Sequence, residues 1–191
     1  MSDAQLEFRY EQSPTVRELR ARLIACCEGI SLEFERYGEE HTRGPGLYFA
    51  IASGRSVAPF AEPMGSNAWP IDTAAHASDD CDAFYAAASA VARSCDGGVC
   101  LGVDGTILEQ MVRFRNVRDD ELPDGVSVSG LEYADWMGAR HMSAVEISLR
   151  PEVLATVTLS EETGRVTAFD GGRYVTTSRE ELGSPWREDD A

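Results

Sequence analysis

Three short stretches of the 191-residue chain bring together side chains suited to phosphate chemistry. The first is Gly138-Ala139-Arg140-His141-Met142-Ser143-Ala144. A glycine before an arginine and a histidine at the first turn of a helix leaves backbone N–H groups free, with two cationic or donor side chains beside them. Such a helix start binds phosphate well, and arginine adds a planar fork that grips two phosphate oxygens. Taken alone, the pair serves equally as a surface cap. The second stretch is Asp96-Gly97-Gly98, between a predicted helix and a predicted buried strand. Its small residues let a substrate approach the backbone, and its carboxylate is offered to a metal or a hydroxyl, or else merely caps the connection. Asp104-Gly105 competes for that role, but a hairpin turn explains it, so Asp96 ranks above it. The third, Ser160-Glu161-Glu162-Thr163-Gly164, is either a loop of solvated acids or a hydroxyl and carboxylate facing a phosphate-metal cluster.

The periodicity of the chain says which elements must hold these stretches. Leu6, Phe8 and Tyr10 alternate as in a half-buried strand. Ser13-Pro14 reads as a cap and first helical residue. Val16, Leu19, Leu23, Cys27, Ile30 and Phe34 then form the apolar face of a helix ended by Gly38, with Cys27 and Phe34 in the core. Residues 46–53 form a continuous apolar run, the pattern of a strand buried on both faces with parallel-sheet character. Residues 54–79 read as a long loop rich in proline and glycine. A helix over Cys81–Ser94, a strand over Gly97–Val103, a type I′ turn at Asp104-Gly105 and a strand over Thr106–Arg115 follow. After a polar insert at 116–130 come a helix over Ala139–Leu149, stopped by Pro151, and strands over Val153–Leu159, Arg165–Phe169 and Tyr174–Thr176. The expectation is an α/β single domain, a mixed twisted β-sheet flanked by helices. Residues 1–44 belong to that domain, 45–178 form its core, and 179–191 are a charged tail that frays beyond Gly183.

The charge limits the partners. Against 33 acidic residues stand 17 basic ones, all arginine, for a net −16. Duplex DNA and anionic membranes are therefore disfavoured. A lysine-free, acidic surface that repels itself at low salt suits a halophile's cytoplasm. Five cysteines without a CxxC pair fit reduced thiols in a cytosol. The amino terminus carries no export pattern and no segment is apolar enough to span a membrane, so a cytoplasmic protein is expected.

Asp-Gly-Gly opening a strand, Gly-x-Arg-His opening a helix and a Ser-Glu-Glu-Thr-Gly turn, in that order, resemble the diadenylate cyclase domain family, here in a small archaeal, halophilic-type form. Residues 45–178 carry the resemblance, and Ser148 also falls where that family often has serine. It implies condensation of two ATP into cyclic di-AMP and two pyrophosphates, with Mg²⁺ or Mn²⁺, between two facing subunits of a homodimer or higher oligomer. It implies Asp96 as the catalytic residue, Asp96 and His141 as metal ligands, and Gly97, Gly98, Gly138, Arg140, His141, Ser143, Ser160 and Glu161 as the substrate-binding set, with the nucleotide lying against Gly97 and Gly98. The family's motifs are Asp-Gly-Ala and Gly-Thr-Arg-His-Arg-Ala-Ala, so this chain departs at Gly98, Ala139, Met142 and Ser143. Met142 cannot bind phosphate where the family has arginine, which favours a catalytically weak or inactive sensor of ATP or cyclic di-AMP as the alternative.

Overall fold

The computed structural model describes residues 14–40, 42–65 and 77–182. The expected strand over Leu6–Tyr10, the Ser13 cap, part of the loop at 54–79 and the chain from Gly183 onward lie outside the described residues. The apolar stripe of the first helix is realised in α1 (Pro14–Glu33), where Val16, Leu19, Leu23, Cys27 and Ile30 are buried. The helix ends before Gly38, and Phe34 is half-buried against Tyr37 instead of entering the core. The physical reason is that α1 ends at Glu33, one residue short of Phe34, so the helical spacing that would carry Phe34 onto the buried face no longer holds; within the last turn Ser31, fully buried, donates its hydroxyl to the Gly164 carbonyl at 2.7 Å.

β1 (Leu47–Ala52) is buried at every residue and lies in the middle of a seven-stranded sheet. Its odd residues Leu47, Phe49 and Ile51 face α1 and α2 (Cys81–Ser94), and its even residues Tyr48, Ala50 and Ala52 face α3 (Ala139–Ile147). Because successive strand side chains point to opposite faces, a strand covered on both sides must be apolar throughout, as the run at 46–53 required. The remaining strands are β2 (Ala61–Pro63), β3 (Gly98–Gly102), β4 (Ile107–Phe114), β5 (Val153–Leu159), β6 (Val166–Asp170) and β7 (Arg173–Thr177), in the order β2-β4-β3-β1-β5-β6-β7. β1 is parallel to β3, because the crossover through α2 returns the chain in the same direction, and antiparallel to β5. The protein is thus a mixed α/β domain, with α1 and α2 on one face of the sheet and α3 on the other.

Three local expectations change. The segment 54–79 is not loop throughout, since β2 pairs with β4 at the sheet edge. The β3–β4 turn is not type I′: Gly105 has φ +87°, but Asp104 stays at negative φ. Its carboxylate accepts the Thr106 N–H at 3.0 Å and locks the turn in that form. α3 stops at Ile147, where the Ser148 hydroxyl donates to the Val145 carbonyl at 2.7 Å and accepts the Gly172 N–H at 3.0 Å.

Candidate functional site

The start of β3, the start of α3, the β5–β6 turn and the end of β4 come together around one cleft of about 530 Å³. Asp96, Gly97, Gly98, Gly138, Arg140, His141, Ser143, Ser160 and Glu161 all line it. The sheet order explains the convergence: β3 and β5 flank β1 on either side, and α3 packs against β5 and β6 so that its first turn hangs over the ends of these strands.

Arg140 is the hub. Its Nη2 lies 3.4 Å from Asp96 Oδ1 and 3.7 Å from Glu161 Oε2, and Arg43 reaches Glu161 Oε1 at 3.4 Å from outside. Asp96 also accepts the Gly97 N–H at 2.8 Å, yet its side chain is 83% exposed and stands open to a ligand. Ser160 Oγ accepts the Glu162 and Thr163 N–H groups, each at 3.3 Å, which fixes the turn and leaves its own proton as the group it can give to a ligand. Gly138 caps α3 without any side chain, so the first turn opens onto the cleft.

His141 comes to the cleft as a neutral imidazole, not as a cation. Burial first, and then the Arg140 and Arg165 guanidiniums, push its pKa down to about 4. Its ring meets Trp136 edge-on at 5.2 Å, and its buried Nε2 has no hydrogen-bond partner among the described residues. The Arg165 guanidinium in turn stacks 4.7 Å over Trp136, so the tryptophan is held from its other side.

Gly98 lines the cleft beside the Phe114 ring. A Cβ there would fall 2.3 Å from the Phe114 ring, so it is this ring that needs the missing side chain. Gly97, at φ +99°, sits against the backbone of Met111, whose own φ of +51° marks a bulge in β4. Met142 is exposed and is not among the cleft residues. Ser148 likewise lies outside the cleft, spent on the turn behind α3.

Local sequence reading missed the aromatic floor. Tyr48 packs on Phe114 at 4.4 Å and brings its hydroxyl within 3.4 Å of Ser143 Oγ; Trp136, Val112 and Met64 complete the apolar lining. Burial raises the Tyr48 phenol far above its ordinary value, so it stays protonated as a hydrogen-bonding group. The only available signal was that Tyr48 is the one residue with a polar side chain in an otherwise apolar strand.

Among the described residues no three His, Cys, Asp or Glu side chains gather at metal-binding spacing. Two lone donors stand at the cleft, the open carboxylate of Asp96 and the neutral imidazole of His141, whose Nε2 is buried and unpartnered among the described residues; phosphate and water would have to supply the rest of any ion's ligands. All five cysteines are free thiols, and no helix among the described residues is long and apolar enough to cross a membrane.

No family model matches the chain, and no curated protein matches it. Among solved structures, the chain is similar to a hypothetical membrane spanning protein from Bacillus cereus, with a TM-score of 0.54 and 15% identity over 84% of this chain and 64% of that one. The chain therefore spans less than two-thirds of that protein's length, and the likeness is one of fold. DacA from Staphylococcus aureus, solved as a double cysteine mutant, superposes with a TM-score of 0.48 and 18% identity over 92% of this chain and 97% of its own.

Proposed function

We propose that the chain is a diadenylate cyclase, condensing two ATP into cyclic di-AMP and two pyrophosphates in the cytoplasm. What carries the reading is convergence: three stretches far apart in sequence, each bearing groups suited to phosphate, line a single cleft large enough for a nucleotide. In the reaction the 3′-hydroxyl oxygen of one ATP attacks the α-phosphorus of the other. The new P–O bond forms as the bond to pyrophosphate breaks, and a second attack in the reverse sense closes the ring. One cleft holds one nucleotide, so two copies must face each other as a homodimer or as part of a higher oligomer.

Positioning and charge neutralisation dominate such a transfer. Asp96, open to solvent at the cleft, orients the 3′-hydroxyl and takes its proton, a role worth about 10²- to 10⁴-fold. Arg140 leaves its carboxylates to grip the triphosphate, with the free N–H groups of the α3 start beside it. Ser160 donates its hydroxyl proton to a phosphate oxygen. Tyr48, Phe114 and Val112 offer an apolar wall to the base and exclude water from it. Asp96 and His141 would hold Mg²⁺ or Mn²⁺, which neutralises phosphate charge when bound. Having no positive charge of its own at neutral pH, His141 is in the form that can ligate.

One observation favours a second reading, a weak or inactive sensor of ATP or cyclic di-AMP: the arginine that must take phosphate already contacts two carboxylates. Incubation with ATP and Mn²⁺ in molar KCl, which suits the net −16 charge, followed by mass analysis, separates the two. Cyclic product supports the enzyme, nucleotide binding without product supports the sensor, and neither would sink both.

A further inference from the structure

The strap that leads into β1 is not part of any of the three stretches, yet it is fastened to the cleft. The Gly44 N–H donates to the Glu161 carbonyl at 2.7 Å, the Tyr37 hydroxyl donates to the Pro45 carbonyl at 3.2 Å, and the Gly46 N–H donates to the Ala92 carbonyl at 2.9 Å. This backbone holds Arg43 at the rim, where its side chain is 80% exposed and makes a single ion pair, to Glu161, among the described residues. Behind it, a Cβ on Gly46 would fall 2.5 Å from Arg140 Nη1 and 3.1 Å from Glu161 Cβ. A side chain at residue 46 would crowd the Arg140 guanidinium as it stands between its two carboxylates.

The charge of the cleft gives Arg43 a task. Asp96, Glu161 and Glu162 line it against Arg113 and Arg140, and Arg113 is turned toward Glu62. A triphosphate arriving there meets surplus negative charge, and the chain has no lysine to offset it. We infer that Arg43 is a further ligand-binding residue of this cleft, taking the outer phosphates of a triphosphate, and that Gly46 is a positioning residue acting through Arg140. As the phosphates draw Arg140 away from Glu161, Arg43 keeps that carboxylate neutralised and points its remaining N–H donors at the incoming anion. The inference rests on the nucleotide reading of the cleft but concerns only the phosphate end of the ligand.

The probe is inorganic tripolyphosphate, measured by calorimetry with Mn²⁺ present on the full chain, alongside ATP turnover and thermal melts. Arg43→Gln should weaken tripolyphosphate about tenfold, the scale of one charge-assisted hydrogen bond, without moving Tm, since the side chain is at the surface. Gly46→Ala should weaken it by a similar factor by displacing Arg140, and should cost nothing further in an Arg140→Ala background. A parent protein that binds no tripolyphosphate, or an Arg43→Gln variant that binds it as the parent does, overturns the inference. Arg43-dependent tripolyphosphate binding in a protein that makes no cyclic product would overturn the cyclase reading alone. Turnover with binding indifferent to Arg43 would do the reverse.

Discussion

The two ends of α3 use arginine in opposite ways. At the N-terminal end, Arg140 lies between two carboxylates at 3.4 and 3.7 Å, neither at close hydrogen-bond distance, and its partner Asp96 is largely exposed. Just beyond the C-terminal end, Arg150 is almost wholly buried and meets Glu121 at 2.6 Å, while Ser148 ties the helix end to the Gly171-Gly172 turn. A close, buried pair resists removal because breaking it strands a charge away from water. A long, shared and partly solvated pair gives little stability, and replacing one of its carboxylates by another anion costs little. One end is built to fasten the insert at 116–130 to the domain, the other to let go.

This contrast can be broken experimentally. The largest effect should be at the exchangeable end: Asp96→Asn should lower turnover by about 10²- to 10⁴-fold, the scale of a positioned base, while ATP affinity stays within a few-fold and Tm is unchanged. Quantified cyclic product would check it, and equal turnover in mutant and parent would exclude Asp96 from the chemistry. Arg150→Ala should instead cost about 3 kcal/mol of folding stability, the low end for a buried pair because Glu121 is partly exposed. Denaturant titration reads that loss, and a variant as stable as the parent would remove the fastening role. Arg140→Ala should weaken ATP binding about 10- to 100-fold without loss of Tm. A drop in stability comparable with that of Arg150→Ala would erase the difference between the two ends.

A smaller effect concerns pH. The folded His141 pKa is depressed to about 4 from an ordinary 6.5, so the unfolded chain takes up a proton that the folded one refuses. Stability attributable to this residue is therefore intact above about pH 6.5 and falls as the pH drops toward 4. Melts of the parent and His141→Gln across that window should converge as the pH falls; parallel curves would mean the ring is not buried neutral. The smallest effects belong to residues outside the cleft. Met142→Arg and Asp104→Asn should each change turnover less than about twofold, the first because Met142 faces solvent, the second because asparagine keeps the acceptor for the Thr106 N–H.

Much of the fold was legible because its signals are local. The stripe from Val16 to Ile30, the run at 46–53 and the alanine-rich segment at 81–94 each announce an element through spacing alone, and the sheet and its covering helices follow from their order. Phe34 escaped because the helix ends at Glu33, so the spacing that marks the stripe no longer sets its direction. The turn at Asp104 escaped because a side-chain hydrogen bond outweighed the Asp-Gly preference for positive φ at both positions.

At the cleft, residue types showed which groups could serve phosphate, but no spacing could show that Gly46 lies against the Arg140 guanidinium, that Arg43 faces Glu161, or that Gly98 makes room for Phe114. Nor could composition tell a charged histidine from a neutral one. Those facts arise from pairs of residues distant along the chain, and their energies depend on burial and approach distance, which exist only once β1, β3, β5 and α3 are packed together. Residue order supplies the chemical groups and the elements that carry them; which of those groups meet, at what distance and in what charge state follows from packing, because burial and approach set their energies.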